Sequence, residues 1–171
     1  ARQVSGTVRQ VREADLEKIQ PREDAQGLPH RERVENFVAA EIDLATDQTN
    51  LSIICIEVSG VAHSEQRRTR AASVVLPDGV LTGIKRVLRG ADLLCRFSDT
   101  EFVVVLTQTD SVAAAVVASR IAEILAEARP SFMDTSRLTL GVASAPRDRR
   151  TLRELVATAQ QHRWIPPSTS P

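Results

Sequence analysis

Aromatic side chains are nearly missing from this chain: Phe, Trp and Tyr together make up 3% of its 171 residues. A core built from it must rest on Val, Leu, Ile and Ala. Lysine is almost as scarce, since Lys18 and Lys85 are the two lysines among 22 basic residues. Any anion site would therefore rely on arginine forks. Neither sign of charge is in excess, with 22 basic against 22 acidic residues. That balance argues against bulk attraction to nucleic acid or to an anionic membrane. No apolar run approaches a membrane span and nothing resembles a signal peptide, so a cytoplasmic location is expected. The chain begins without Met, which leaves room for an upstream sensor or membrane portion. Cys55 and Cys95 both lie inside apolar runs, ICI and LLCRF, and read as reduced core thiols. With His30, His63 and His162 scattered along the chain they make neither a zinc site nor a relay, and no metal is expected.

What is present is ordinary for a globular domain: 42% hydrophobic and 26% charged residues, enough for one domain with a substantial core. Residues 1–20 space Val4, Val8, Val11 and Ile19 along one thin apolar face, a helix or linker from an upstream region. The domain proper is placed at 21–165, and 166–171 is a Pro-rich tail. A helix is expected over about 31–46, from Val34, Phe37, Val38 and Ile42. Leu51–Val58 is a nearly continuous apolar strand, suited to burial on both faces. Residues 60–76 show no clean period. Asp78 reads as the cap of a helix running through Arg89. Leu93–Phe97 and Phe102–Leu106 form a hairpin with Asp99 in its turn, and Asp110-Ser111 caps a long helix ending near Ala128, before Pro130. Arg137–Ala143 is a strand interrupted by Gly141, and 151–163 is a final amphipathic helix. This alternation predicts one α/β domain, a central mostly antiparallel sheet with surrounding helices.

Several short stretches recur in one family in this order. EDAQGLPHR (23–31), IEVSG (56–60), PDGVL (77–81), RGADLLCRF (89–97), SDTEF (98–102), LTLGVAS (138–144) and ATAQQHRW (157–164) resemble the landmarks of the GGDEF domain, whose active members are diguanylate cyclases of bacterial signalling. The resemblance covers roughly 20 to 164. It implies a palm-related, nucleotide-cyclase-like fold. It also implies a homodimer in which the 3′-hydroxyl of one GTP attacks the α-phosphate of another. Such chemistry needs carboxylates to hold divalent metal and donors for the triphosphate.

The matched positions depart from that pattern. Glu57 falls on the first metal aspartate, while Ser59 replaces the second acid of D-x-D. In the signature, Ser98 and Asp99 replace two glycines and Thr100 replaces the metal-binding acid; Glu101 and Phe102 remain. A Cβ at both glycine positions crowds the approach of phosphate, and Thr100 cannot neutralise magnesium as a carboxylate would. Ala62 stands at a phosphate-contacting lysine. Glu65 and Asp78 stand at the two base-reading positions, Asp78 retaining its carboxylate. Glu57, Thr100 and Glu101 are thus read as relics, with no catalytic residue and no cofactor expected. Mg would enter only if residual GTP binding persisted. Glu101 is expected to accept a hydrogen bond or pair with an arginine at a strand edge.

Arg89-Gly90-Ala91-Asp92 reproduces the family's R-x-x-D inhibitory motif, five residues ahead of Ser98. The resemblance implies that Arg89 and Asp92 bind the product cyclic di-GMP, an arginine fork meeting phosphate or guanine and a carboxylate accepting from guanine N1 and N2. Arg86, Arg96 or Arg120 are candidates for reinforcing it. Three functions stay open at this point: a non-catalytic signalling receptor for cyclic di-GMP, a nucleotide-independent interaction or dimerisation module, and a weak residual cyclase.

Overall fold

The structure is a computed structural model, described here for residues 23–44, 50–59, 73–132, 137–146 and 151–166. Its elements are α1 (Arg31–Leu44), β1 (Leu51–Ser59), α2 (Asp78–Val87), β2 (Leu93–Arg96), β3 (Glu101–Thr107), α3 (Ser111–Phe132), β4 (Arg137–Ala145) and α4 (Leu152–Gln161). The four strands form one antiparallel sheet in the order β2-β3-β1-β4, with Leu93–Arg96 and Glu101–Thr107 joined as the expected hairpin.

Helices cover both faces, which explains why β1 and β3 read as apolar runs instead of alternating. Ile54, Ile56, Phe102, Val104 and Leu140 pack with Ile84 of α2 and Ile121 and Leu125 of α3. Ile53, Cys55, Cys95, Val103 and Val105 pack with Val34 and Val38 of α1 and Leu155, Val156 and Ala159 of α4. The core is aliphatic, as the shortage of aromatics requires. Gly141 in β4 has a packing reason: a Cβ there would lie 2.0 Å from the carbonyl oxygen of Ala159. Only a residue without a side chain lets α4 approach the sheet so closely.

Local chemistry sets the ends of the elements, and here several expectations are corrected. The helix expected through Arg89 stops at Val87, because the Arg89 amide donates to the Asp92 carboxylate (2.8 Å) instead of continuing the helical ladder. Pro77, not Asp78, is the N-cap, and Asp78 lies in the first turn, where its charge complements the helix dipole. The long helix runs through Pro130 to Phe132; a proline so near the C-terminus removes one amide from the ladder but does not end it. Its start is as read, with Asp110 Oδ1 accepting from the Ala113 amide at 2.8 Å. The last helix is shorter than expected, Leu152–Gln161, because Trp164 exchanges two backbone hydrogen bonds with Leu140 of β4. Thr151 caps it, accepting from the Glu154 amide. The readings on residues 1–20, on 60–72 (with Ala62, His63 and Glu65) and on the tail beyond Pro166 lie outside the described residues.

Candidate functional site

Two candidate places emerge, one at each end of β2. The first is the signature hairpin. Ser98 Oγ accepts from the amides of Thr100 (3.3 Å) and Glu101 (3.1 Å), so the hydroxyl closes the turn on itself. Asp99 Oδ1 accepts from Ser73 Oγ at 2.5 Å, and its carbonyl accepts from the Val74 amide at 2.8 Å. The turn is therefore fastened to the segment ahead of α2. A cavity of about 890 Å³ opens beside it, lined by Asp24, Arg31, Glu32, Glu35, Arg96 and Asp99, among others. Four carboxylates against two arginines leave that set with an excess of negative charge, which repels a polyphosphate. The two arginines already have anionic partners, Arg31 with Glu35 (2.8 Å) and Arg96 with Asp24 (2.6 Å).

Register brings the relic carboxylates together. Glu57 of β1 lies directly opposite Glu101 of β3 and, on its other side, opposite Thr139 of β4. Opposed residues of an antiparallel pair share a face, so both carboxylates point toward α4. There Arg163, just beyond that helix, bridges them: Nη1 pairs with Glu57 Oε2 and Nη2 lies 3.2 Å from Glu101 Oε1. Gln160 Nε2 donates to the same Glu101 oxygen at 2.6 Å. Glu101 thus has the arginine partner expected of it, on an inner strand of the sheet. Beneath this row lies Cys55, whose thiol is pushed up to about 12 by burial and then by the Glu101 charge. Burial likewise raises Cys95 to about 12. Both thiols are free, buried and chemically quiet. Among the described residues no group of three or more His, Cys, Asp or Glu side chains could hold a metal ion.

The second place is the R-x-x-D loop at the other end of β2. Asp92 turns inward, its side chain 2% exposed, and accepts from the Arg89 amide (2.8 Å) and the Thr107 amide (3.1 Å). Arg89 turns outward, 66% exposed, with Nη2 donating to Thr109 Oγ1 at 2.7 Å and Nε 3.7 Å from Asp92 Oδ2, a looser ion pair than those of Arg31 and Arg96. Beside it is a recess of about 270 Å³ with apolar walls from Leu28, Pro29, Leu88 and Leu93, and with Lys85, Arg89 and Asp92 on its lining. Lys85, which sequence reasoning did not single out, takes the place considered for Arg86. Helical spacing could not have shown this, since α2 ends at Val87 and Arg89 lies beyond it in the loop. Arg96 stands elsewhere: it is tied to Asp24 and lies over the Phe102 ring, 4.7 Å from its centroid. Arg120 is exposed on α3.

An antiparallel four-stranded sheet with helices on both faces and an acidic hairpin at its end defines a palm-like α/β domain. Residues 24–163 match the family described as "Diguanylate cyclase, GGDEF domain", and the chain belongs to that family. The protein y4lL of Sinorhizobium fredii is 29% identical over 137 residues, which is 78% of this chain and 16% of that relative. The chain therefore spans only a small part of the curated relative it matches. A sensory box/GGDEF family protein from Caulobacter crescentus is 26% identical, with a TM-score of 0.56 over 80% of this chain and 90% of that one. The coiled coil and GGDEF domain of DgcB from Caulobacter crescentus, solved in complex with c-di-GMP, has a TM-score of 0.61 at 15% identity. The match covers 93% of this chain and 87% of that one. At that identity the likeness shows the fold. No helix among the described residues is long and apolar enough to cross a membrane.

Proposed function

We propose that this chain is a non-catalytic GGDEF domain that binds cyclic di-GMP through Arg89, with Asp92 holding the loop that presents it. One observation carries the reading: an exposed guanidinium and Lys85 line an apolar recess, while the Asp92 carboxylate on the same lining is 2% exposed and already held by two backbone amides. Cations there suit a phosphodiester, and the apolar walls suit part of a purine face. The roles of the two motif residues divide accordingly, Arg89 touching ligand and Asp92 positioning it. The absence of turnover is supported by Thr100 in place of an acid and by the fastening of Asp99 to Ser73 and Val74. The reading places the folded unit at 21–165.

A second reading, a nucleotide-independent interaction or dimerisation module, is favoured by Val112 and Val116, which are 74% and 53% exposed one turn apart on α3. Calorimetric titration with cyclic di-GMP, with GTP and cyclic di-AMP as comparisons, separates the two. Saturable binding selective for cyclic di-GMP is expected. Arg89→Ala should weaken it by about tenfold to a hundredfold, roughly 1.4–2.8 kcal/mol, the scale of a charge-assisted hydrogen bond. Glu57→Gln should leave the affinity at the wild-type value. Absence of saturable binding would give way to the interaction-module reading. Product formation from GTP that Glu57→Gln abolishes would restore the residual cyclase.

A further inference from the structure

The family resemblance implies divalent metal at the end of β1, and the residues present do not fit it. Magnesium asks for near-octahedral oxygen coordination, with carboxylates as its charged ligands. Thr100 is no carboxylate, and one oxygen each of Glu57 and Glu101 already meets a terminal nitrogen of the same guanidinium. The backbone delivers that guanidinium firmly: Trp164 next to it donates to the Leu140 carbonyl at 2.8 Å and accepts from the Leu140 amide at 3.0 Å. Arg163 therefore belongs to a segment stitched onto β4 and is not a loose surface chain.

We propose that Arg163 is a built-in counter-ion, its guanidinium occupying the place of a divalent cation between Glu57 and Glu101 and making that pair indifferent to metal. Three features support it. The carboxylates oppose each other across β1 and β3, where like charges destabilise a sheet unless a cation lies between them. A planar fork can serve both at once, which a point charge cannot. On the far side of Glu57 in the same row, the buried Thr139 hydroxyl has no hydrogen-bond partner. It is a further oxygen in the same cross-strand row, next to Glu57. Taking Arg163 away uncovers the two carboxylates beside the Gln160 amide, and carboxylate oxygens are the hard donors that Mg²⁺ and Mn²⁺ prefer. The inference deepens the non-catalytic half of the reading above and is independent of Arg89.

The test uses Mn²⁺ alone as probe, on the whole chain, read by electron paramagnetic resonance of free Mn²⁺ and by thermal unfolding. Wild type should show no Glu57-dependent Mn²⁺ binding at millimolar metal. Arg163→Met should unfold at lower temperature without metal and regain stability with it. It should bind Mn²⁺ at least about tenfold more tightly than wild type, about 1.4 kcal/mol. Glu57→Gln in the Arg163→Met background should recover stability without metal and lose the Mn²⁺ response. Arg163→Lys guards against a variant that fails to fold: it keeps the charge but not the fork, and should show an intermediate response. Glu57-dependent Mn²⁺ binding by wild type would overturn the proposal. So would folded Arg163→Met and Arg163→Lys chains that bind metal no better than wild type. Because the readout is metal binding, a failed cyclic di-GMP titration leaves this outcome unaffected, and the converse holds.

Discussion

Replacing Asp92 by Ala tests whether this carboxylate reads a ligand or builds a loop. It is 2% exposed and accepts from two backbone amides, those of Arg89 at 2.8 Å and Thr107 at 3.1 Å. A hydrogen bond to a charged acceptor contributes about 1.5–3 kcal/mol, and an orphaned buried amide costs about 1–3 kcal/mol. The Arg89 amide lies at the surface, so water replaces much of what it loses. The Thr107 amide is part-buried and has less access to water. Counting the second in full and the first as a fraction gives a destabilisation of about 2–4 kcal/mol. For a domain of this size, each kcal/mol lowers Tm by about 2–4 °C, so a fall on the order of 5–15 °C is expected. Urea denaturation of wild type and Asp92→Ala, fitted with a shared m-value, measures the free energy directly. A carboxylate used mainly for guanine would leave stability unchanged and remove binding. A stability within about 0.5 kcal/mol of wild type, the usual range for surface substitutions, would therefore refute the positioning role.

Gly141→Ala should destabilise by about 3 kcal/mol or more, beyond ordinary overpacking, because the added carbon meets a backbone oxygen at 2.0 Å and α4 must shift; urea denaturation measures it. Asp24 gives a pH signature. Burial alone would raise its pKa, but the Arg96 hydrogen bond and the amides of Leu28 and Gln26 outweigh it and hold the carboxyl below 3.8. Its contribution is therefore present above the unfolded value and is lost as pH falls through the lower folded value. Stability curves from pH 6 downward should converge for wild type and Asp24→Asn at the acid end. A constant gap at all pH values would contradict the assignment.

Sheet and core were readable because both rest on burial, which leaves a long trace in sequence: β1, β3 and β4 announce themselves as aliphatic runs, and the helices as spaced Val and Leu. Ends were less readable because single side chains decide them. Nothing in the apolar period over 78–89 says that Asp92 will capture the Arg89 amide and stop the helix at Val87. The outward Arg89 followed from its motif, whereas the inward Asp92 depended on Thr107 lying within reach, a contact between β3 and the loop. Arg163 was harder still. Its role needs the register that sets Glu57 against Glu101 and the pairing of Trp164 with Leu140, and neither is a local property of HRW. The available clue was electrostatic: two acids on neighbouring inner strands demand a cation, and the family landmark at 157–164 held one.

The two candidate places also differ in what a ligand could transmit between them. They flank β2, whose four residues span roughly 13 Å at about 3.3 Å each. A shift at Arg89 would have to pass along that strand to reach the hairpin. Yet Leu94 and Cys95 are packed into opposite faces of the core, 5% and 0% exposed, and slipping the strand by one residue would exchange those faces. Closely packed interiors move between discrete arrangements and do not slide by small amounts. Ligand at Arg89 is thus expected to be read on the surface it covers and not through the Glu57–Arg163–Glu101 bridge. The equality of cyclic di-GMP affinity between wild type and Glu57→Gln measures that independence. An affinity difference of about tenfold would mean that the two ends of β2 are coupled by ~1.4 kcal/mol after all.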